Sequence, residues 1–327
     1  MMQKNEYEQR VQLFNEKLPQ YLPDGTPETL YKAVQHLPFA GGKRLRPVLA
    51  MLACESLGCD KNNTIPFGAA LEIMHNFTLV HDDIMDKSTL RRNLPTVHIE
   101  FGEQTAILAG DFLFAKSFSA MHQLNVNHDV FKQLDFDLIN CILEICEGQQ
   151  LDVEFEQRKI VSEEEYLQMI QKKTAVLFRL ATRGGAIIAN ATPEQVQALT
   201  DYGLNLGLAF QIWDDYLDLS SDEETLGKDI GNDIRNGKKT LIAVHALEHA
   251  TGENKQLLEK IFGNQNASES EVKQILQLFR ELQSVDYAKQ TAIHYNNTAK
   301  KALDLLEDSH AKQLLVEIAD FAIQREK

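Results

Sequence analysis

Apolar residues recur every three or four positions along nearly all of this 327-residue chain, and the alternation typical of strands is scarce. That spacing is the period of an α-helix, so it restricts the chain to a fold built almost wholly of helices. Short clusters rich in Pro, Gly and Asn interrupt the pattern at 23–28, 57–66, 124–129, 190–194 and 262–271. We expect an all-α fold with about ten or more helices and essentially no sheet.

No internal repeat and no low-complexity linker divides the chain, so we expect one domain over residues 1–327. Two stretches, at about 104–121 and 174–190, are apolar on almost every face. Helices of that kind lie deep in a core or against a second subunit, and we expect a homodimer formed through the first. The stretch 219–239 is rich in Gly and charge and lacks a helical period, which is typical of a lid or binding loop.

Charge and cysteine content argue against several classes of function. The chain has 33 Lys and Arg against 48 Asp and Glu, a net charge of −15, which disfavours a nucleic-acid partner or an anionic membrane surface. The four cysteines lack CxxC spacing, and we interpret them as buried free thiols in a reducing compartment; they are Cys54, Cys59, Cys141 and Cys146. No signal peptide and no membrane span is predicted, so we expect a cytoplasmic protein.

The sharpest local signal is the sequence HDDIMD at residues 81–86. Residues four apart share a helix face, so Asp82 and Asp86 project side by side, with Asp83 turned by about 100°. The preceding run, AALEIMHNFTLV, is apolar enough to be buried. Carboxylates at the end of a buried helix repel one another unless a proton or a cation neutralises them. Oxygen ligands of this kind suit Mg²⁺.

The same spacing recurs in QIWDDYLD at residues 211–218, where Asp214 and Asp218 share a face. One such motif is weak evidence, because acidic runs are common on solvated helix faces. Two motifs with identical spacing, each after an apolar helical run, are hard to explain in that way. They favour a metal site inside a helical bundle, with carboxylates from neighbouring helices facing each other.

Basic clusters accompany both acidic motifs in this otherwise acidic chain, at 41–47, Arg91–Arg92, Lys172–Lys173, Lys228 and Lys238–Lys239. Arg and Lys side chains both bind phosphate oxygens well. Each basic residue alone is explained as well by a surface salt bridge. Together with the acidic pairs, they favour a diphosphate held through Mg²⁺ on one side and through Lys and Arg on the other.

Six motifs of this chain resemble those of the trans-isoprenyl diphosphate synthases, also called polyprenyl synthetases. In chain order they are GGKRLRP, HNFTLVHDDIMD followed by RR, GQQLD, KKT, FQIWDDYLD and GKDIGNDI. The resemblance runs from about residue 38 to residue 240. It implies an all-α bundle around a deep apolar cavity, usually a homodimer. The implied reaction joins an allylic diphosphate head to tail with isopentenyl diphosphate and releases pyrophosphate, with Mg²⁺ as cofactor, three ions per active site.

The resemblance also assigns roles by position. The first metal-binding motif of the family matches Asp82, Asp83 and Asp86, and the second matches Asp214, Asp215 and Asp218. The resemblance implies that the outer residues of each motif are the metal ligands, namely Asp82, Asp86, Asp214 and Asp218. Lys43, Arg46, His75 and Arg92 match the isopentenyl diphosphate site. The binding site for the allylic diphosphate matches Arg91, Lys173, Thr174, Gln211 and Lys228. Lys173 is also counted among the catalytic residues. Gln149 and Asp152 match a polar motif of a neighbouring helix, and His81 is interpreted as structural.

In this family, side chains on the helix before the first aspartate motif limit product length, and Phe77, Thr78 and Met74 are the candidates here. One helical turn adds about 5.4 Å of depth, close to the length of one prenyl unit. An ideal wheel puts Thr78 and Met74 near the face of Asp82. It puts Phe77 about 140° away, whereas the family's pattern makes Phe77 the cavity floor. We follow the family and expect a C20 product, with C15 next.

Two other functions compete with this interpretation. A terpene cyclase or head-to-head condensing enzyme is also helical and Mg²⁺-dependent, but cyclases usually replace the second aspartate motif and need no second diphosphate site. A non-catalytic partner subunit usually lacks one aspartate motif or its arginine pair, and both are present in this sequence.

Overall fold

The computed structural model describes residues 4–220 and 229–324, and it confirms the all-α fold. The helices of these residues are α1 (Lys4–Lys17), α2 (Glu28–Phe39), α3 (Leu45–Glu55), α4 (Ile65–Met85), α5 (Val97–Phe101), α6 (Glu103–Met121), α7 (His128–Gln157), α8 (Glu163–Ile170), α9 (Val176–Ile188), α10 (Pro193–Ser220), α11 (Asp229–Asn236), α12 (Leu241–His249), α13 (Gly252–Ile261), α14 (Glu269–Glu281), α15 (Ser284–Ala302) and α16 (His310–Ala322). Short 3₁₀ segments lie at Leu18–Tyr21, Lys61–Thr64 and Leu303–Leu305, and a π-helical turn at Gln171–Ala175. Two short antiparallel strands, β1 (Leu90–Arg91) and β2 (Leu94–Pro95), form a hairpin.

The described residues form two compact units, each assembled from separate stretches of chain. The first unit takes its described residues from 4–138, 180–200 and 305–317. The second takes them from 139–179, from 201–304 outside the gap, and from 318–324. Since neither unit is a continuous stretch, no single cut in the sequence separates them. The single domain over 1–327 stays a prediction.

Helix α4 is at the centre of the first unit, where it packs against α3 and α6. A proline lies in its first turn, where the missing N–H costs no helical hydrogen bond. Its residues from Ile65 to Met74 are buried almost without interruption, so this part of the helix is core on nearly every face. A Cβ atom on Gly110 would lie 2.1 Å from His81 Nε2, so the glycine lets α6 approach α4 closely.

A buried ion pair ties the loop before α3 to the middle of α4. Arg44 Nη1 donates to Glu72 Oε1 at 2.5 Å, and the two side chains are only 2% and 3% exposed. Arg44 Nε also donates to Asn15 Oδ1 at 2.9 Å, and Arg44 Nη2 to the Pro38 carbonyl at 2.5 Å. Every nitrogen of the guanidinium therefore has an acceptor, which a buried charge requires.

The core of the second unit is built around α12, which packs against α8, α14 and α15. Two of these helices begin with capping boxes. Ser162 and Ser268 each accept a hydrogen bond from the N–H three residues later, where Glu165 and Glu271 reach back to the serine N–H. Such reciprocal bonds satisfy the backbone donors left over at a helix start, and they fix where α8 and α14 begin.

The stretch predicted as an irregular loop, 219–239, is partly helical. Helix α10 continues to Ser220 and α11 occupies Asp229–Asn236, while residues 221–228 lie outside the described residues. Ile234 is 1% exposed in the core of the second unit, and Arg235 Nε donates to the Ala267 carbonyl at 2.9 Å. These contacts stabilise a helix that local composition does not favour, so the expectation of a loop is wrong for α11.

Both stretches that are apolar on every face form helices, as expected. The first corresponds to α6, and the second corresponds to α9 together with the end of the π-helical turn before it. Neither these nor any other described helix combines the length and the apolar character needed to cross a membrane.

Replacing Glu72 with Ala should lower the free energy of unfolding by about 3–5 kcal/mol, because Arg44 would keep a buried charge without its partner. Glu28→Ala is the matched control, since its ion pair with Lys32 lies in solvent and should contribute almost nothing. Urea denaturation followed by circular dichroism measures both. Equal midpoints for the two variants would contradict the stabilising role of the buried pair.

Candidate active site

The first aspartate motif lies at the end of α4 in the first unit. Asp82 and Asp83 belong to its last turn, and Asp86 follows it, with the Asp86 N–H donating to the Asp82 carbonyl at 2.8 Å. This hydrogen bond sets Asp82 and Asp86 one helical turn apart, as the spacing predicts. Asp83 is 1% exposed, whereas Asp82 is half-buried and Asp86 is exposed.

Asp83 is held by Arg91 of the short hairpin. Arg91 Nε lies 2.8 and 2.9 Å from the two carboxylate oxygens, and Arg91 Nη2 lies 2.7 Å from Oδ1. Charge-assisted hydrogen bonds hold a guanidinium firmly against a carboxylate. Asp82 and Asp86 are more exposed than Asp83, so they are the better candidates for metal ligands in this motif.

The loop from Gly41 to Arg44 carries Lys43 and lies against Arg92. Arg92 Nη1 donates to the Gly41 carbonyl. Gly41 and Gly42 have φ angles of +94° and +134°, a region that glycine adopts more readily than other residues. A Cβ atom on Gly42 would lie 3.0 Å from the guanidinium carbon of Arg92, so glycine also provides the space for this contact.

His75 lies on α4 among several positive charges. Desolvation, and then the charges of Arg46, Arg92, Arg91 and Arg44, hold the pKa of His75 well below its usual range. The effect of these guanidinium groups on His75 indicates a positive potential, which Glu72 and Asp83 reduce by pairing with Arg44 and Arg91. Such a potential suits a polyanion such as a diphosphate.

The second aspartate motif lies near the end of α10, and its middle carboxylate is also held by the protein. Asp215 is 5% exposed; its Oδ2 accepts from the Tyr166 hydroxyl at 2.7 Å and its Oδ1 from Gln211 Nε2 at 3.1 Å. Thr174 Oγ1 in turn donates to Gln211 Oε1 at 2.9 Å. Burial raises the pKa of Asp215 to about 6. Asp214 and Asp218 are only half-buried.

Tyr166 is a site residue that the sequence reasoning missed. It lies in α8, is 1% exposed, and binds a carboxylate 49 positions along the chain. Its spacing of seven residues from Lys173 corresponds to about two helical turns, and this was the one available signal. A lone buried tyrosine at helical spacing otherwise looks like any core residue.

Lys238 lies among the carboxylates of the second unit. Burial lowers its pKa, but the negative charges of Asp233, Asp215, Asp152 and Asp218 outweigh burial and raise the pKa above its ordinary value. The carboxylates around this partly exposed lysine therefore produce a negative potential, which also suits a divalent cation.

Lys173 and Thr174 lie in the π-helical turn Gln171–Ala175. Lys173 Nζ is 2.5 Å from Asp152 Oδ2, which joins this turn to α7. A Cβ atom on Gly148 of α7 would lie 2.3 Å from the backbone nitrogen of Lys173, so the contact requires glycine. Turns of this type are rare, and they often mark functional sites.

The donor set fits Mg²⁺. In the part of the chain that the structure describes, no three His, Cys, Asp or Glu side chains form a complete metal-binding group by themselves. Mg²⁺ does not need one, because it takes one or two carboxylates and fills its shell with water and phosphate oxygens. Each motif provides two carboxylates one helical turn apart that are more exposed than the third.

The side chains predicted to limit product length lie one to two turns before the first motif. The Phe77 ring packs edge-on against Phe114, 5.4 Å between centroids, and against His81 at 4.9 Å. Thr78 Oγ1 donates to a carbonyl of the preceding turn at 2.8 Å, and Met74 is fully buried. The Phe77 ring is thus held between α4 and α6, and its role as a cavity floor stays a prediction.

The structure groups the predicted residues into two sets. The first unit contains Lys43, Arg46, His75, Asp82, Asp83, Asp86, Arg91 and Arg92, and the second contains Gln149, Asp152, Lys173, Thr174, Gln211, Asp214, Asp215 and Asp218. Lys228 lies outside the described residues. The binding roles of these residues stay predictions.

Comparisons with known proteins agree with these motifs. The family model described as polyprenyl synthetase matches residues 27–279. The chain is 44% identical to a short chain isoprenyl diphosphate synthase of Methanothermobacter thermautotrophicus over 96% of both chains, and 44% identical to a geranylgeranyl diphosphate synthase of Methanosarcina mazei over 94% of both. The crystal structure of geranylgeranyl pyrophosphate synthetase from Pyrococcus horikoshii Ot3 superposes with a TM-score of 0.93, at 41% identity over 98% of both chains.

Replacing Tyr166 with Phe should lower the free energy of unfolding by about 1–3 kcal/mol, because it leaves a buried oxygen of Asp215 without its donor. Tyr295→Phe is the matched control, since the Tyr295 hydroxyl makes no hydrogen bond to the described residues. Chemical denaturation measures the difference. A Tyr166→Phe protein as stable as the control would contradict the importance of this hydrogen bond.

Proposed function

This chain belongs to the polyprenyl synthetase family, and we propose that it condenses isopentenyl diphosphate head to tail with an allylic diphosphate, giving an all-trans C20 prenyl diphosphate and pyrophosphate. It is a trans-prenyltransferase. The observation that carries the proposal is the matched construction of the two aspartate motifs. In each, the outer carboxylates lie one turn apart and are more exposed than the middle one, which is buried.

Isopentenyl diphosphate is assigned to the basic residues of the first unit. Lys43 is exposed on its glycine-rich loop, and Arg46 and Arg92 both act electrostatically on His75. Two phosphates need several positive charges, and guanidinium groups bind their oxygens in pairs. The neutral imidazole of His75 adds a hydrogen-bonding group without adding charge.

The Mg²⁺ ligands that we propose are the outer carboxylates of the motifs, Asp82 and Asp86 in one and Asp214 and Asp218 in the other. Bound Mg²⁺ supplies positive charge to the allylic diphosphate as it leaves. The family's pattern assigns Arg91, Lys173, Thr174, Gln211 and Lys228 to the same diphosphate. Lys173 lies beside Asp152 and close to α7. A count of three ions stays a prediction.

The proposed chemistry requires charge stabilisation and the exclusion of water. When the bond between the allylic carbon and its diphosphate breaks, negative charge grows on the leaving group, and Lys and Arg side chains stabilise that charge. Apolar side chains shield the allylic cation from water. The double bond of isopentenyl diphosphate then attacks the cation and a proton is lost, which restores a double bond.

We propose that the protein acts as a homodimer through α6. Ile107 and Leu108 on this helix are 42% and 57% exposed. Adjacent exposed apolar side chains are what a second subunit would cover. The proposed cover is a second copy of this chain, and light scattering would report the mass.

Two features favour this function over its competitors. A terpene cyclase has no use for a second diphosphate site, whereas Lys43, Arg46 and Arg92 provide one. A non-catalytic partner subunit would lack an aspartate motif, and both are present and held by the protein.

A product assay tests the function. Protein, Mg²⁺ and labelled isopentenyl diphosphate would be incubated with C5, C10 or C15 allylic diphosphates in turn, and the products separated by chromatography. We expect a discrete C20 product that disappears on chelation. A stop at C15 would keep the function and move the cavity floor, whereas no elongation by folded protein would favour a cyclase or a partner subunit.

Asp82→Ala should lower turnover by at least about 100-fold, the scale of losing one group that stabilises charge in a transition state. Asp308→Ala is the control, since that carboxylate is 95% exposed in a surface ion pair and should have no effect. Steady-state rates at saturating substrate measure both variants. Comparable rates for the two would refute the ligand role of Asp82.

Phe77→Ala should lengthen the product by one or more prenyl units, because removing the ring opens about one helical turn of depth. Phe321→Ala, a change at a partly exposed phenylalanine of α16, should leave product length unchanged. Chromatography of the products distinguishes the two. An unchanged product from Phe77→Ala would remove Phe77 as the floor and favour Met74 or Thr78.

A further inference from the structure

We propose that helix α1 positions the loop that binds isopentenyl diphosphate, with Tyr7 and Asn15 as the positioning residues. The inference rests on the proposed function, because it concerns the loop that carries Lys43. It adds to the site two residues that lie 26 or more positions before the loop in sequence and outside the six motifs.

Tyr7 holds the backbone of the loop at the substrate-binding lysine itself. Its hydroxyl donates to the carbonyl of Lys43. Burial, and then the negative charge of Glu72, raise the pKa of Tyr7 above its ordinary value, so the hydroxyl keeps its proton. The Lys43 side chain remains exposed, which allows it to meet a ligand while its backbone is fixed.

Asn15 holds the next residue of the loop. Its Oδ1 accepts from Arg44 Nε at 2.9 Å, two helical turns beyond Tyr7 on the same helix. Arg44 has a φ angle of +48°, in the left-handed region that non-glycine residues rarely adopt. The ion pair with Glu72 and the bond to Asn15 keep Arg44 in this conformation.

The loop needs outside support because its own sequence does not define its shape. Gly41 and Gly42 both have positive φ angles, and glycine loses more conformational freedom on ordering than any other residue. A loop that became ordered only on binding would reduce affinity by that cost. Contacts to α1 order the loop in advance.

Helix α1 is itself anchored independently of the loop. Arg10, which is 8% exposed, binds Glu55 of α3 with Nε to Oε2 at 2.8 Å. His310 of α16 lies 2.5 Å from Glu6. Removing the Tyr7 hydroxyl therefore leaves α1 in place, so the variant separates positioning from folding.

The test is Tyr7→Phe compared with Tyr31→Phe, whose hydroxyl makes no hydrogen bond to the described residues. We expect Tyr7→Phe to raise the KM for isopentenyl diphosphate about five-fold, the scale of one hydrogen bond. The KM for the allylic substrate, kcat at saturation and the melting temperature should not change. Calorimetric titration with isopentenyl diphosphate in the absence of metal should show the same five-fold loss, and Tyr31→Phe none.

Asn15→Ala is the second variant, and it should raise the same KM without affecting the allylic one. Equal increases in both KM values, or a fall in kcat together with the melting temperature, would overturn the inference in favour of a general structural role. An unchanged KM for isopentenyl diphosphate in both variants would overturn it as well. A wild-type protein that does not bind isopentenyl diphosphate would refute the proposed function, and this inference with it.

Discussion

Carboxylates at the end of a buried helix need positive charge or hydrogen-bond donors nearby. In both units, the arrangement of the aspartate motif depends on which partner provides them. In each motif the middle aspartate turns into the protein and binds a partner there, Arg91 for Asp83 and Tyr166 with Gln211 for Asp215. Fixing the middle residue sets the rotation of the helix end. The two outer carboxylates then share a neighbouring face of the helix end, where a cation can bind them.

The two units meet this need with different electrostatics. Asp83 is bound by a full positive charge, whereas Asp215 is bound by neutral donors, and burial raises its pKa to about 6. The second unit therefore keeps more negative charge around its motif, and Lys238 is stabilised there. In the first unit the arginines near His75 produce the opposite sign of potential. The two aspartate motifs are thus held by partners of different charge, an arginine in one unit and neutral donors in the other.

Local patterns in the sequence predicted most of the fold and both motifs, because helical period and i, i+4 spacing are short-range properties. They did not predict partners far apart in sequence. Tyr166 meets Asp215 49 positions away and Arg44 meets Glu72 28 positions away, and neither pairing has a local signature. Arg44 is an example. In the sequence it stands between two predicted ligands, Lys43 and Arg46, but in the structure it is a buried charge paired with Glu72. Helix α11 was missed for the same reason, because its stability comes from contacts such as that of Arg235 with Ala267.

The π-helical turn Gln171–Ala175 has a consequence for how this chain can vary in length. A π turn contains one residue more than the α turn it replaces. Deleting one residue of the turn would restore regular α-helix, and the remaining residues of the turn would shift relative to α8. Lys173 and Thr174 would then leave Asp152 and Gln211. Single substitutions at the outer face of this turn are therefore tolerable, whereas insertions and deletions are not, so a fixed residue count between Tyr166 and α9 is a requirement of the site.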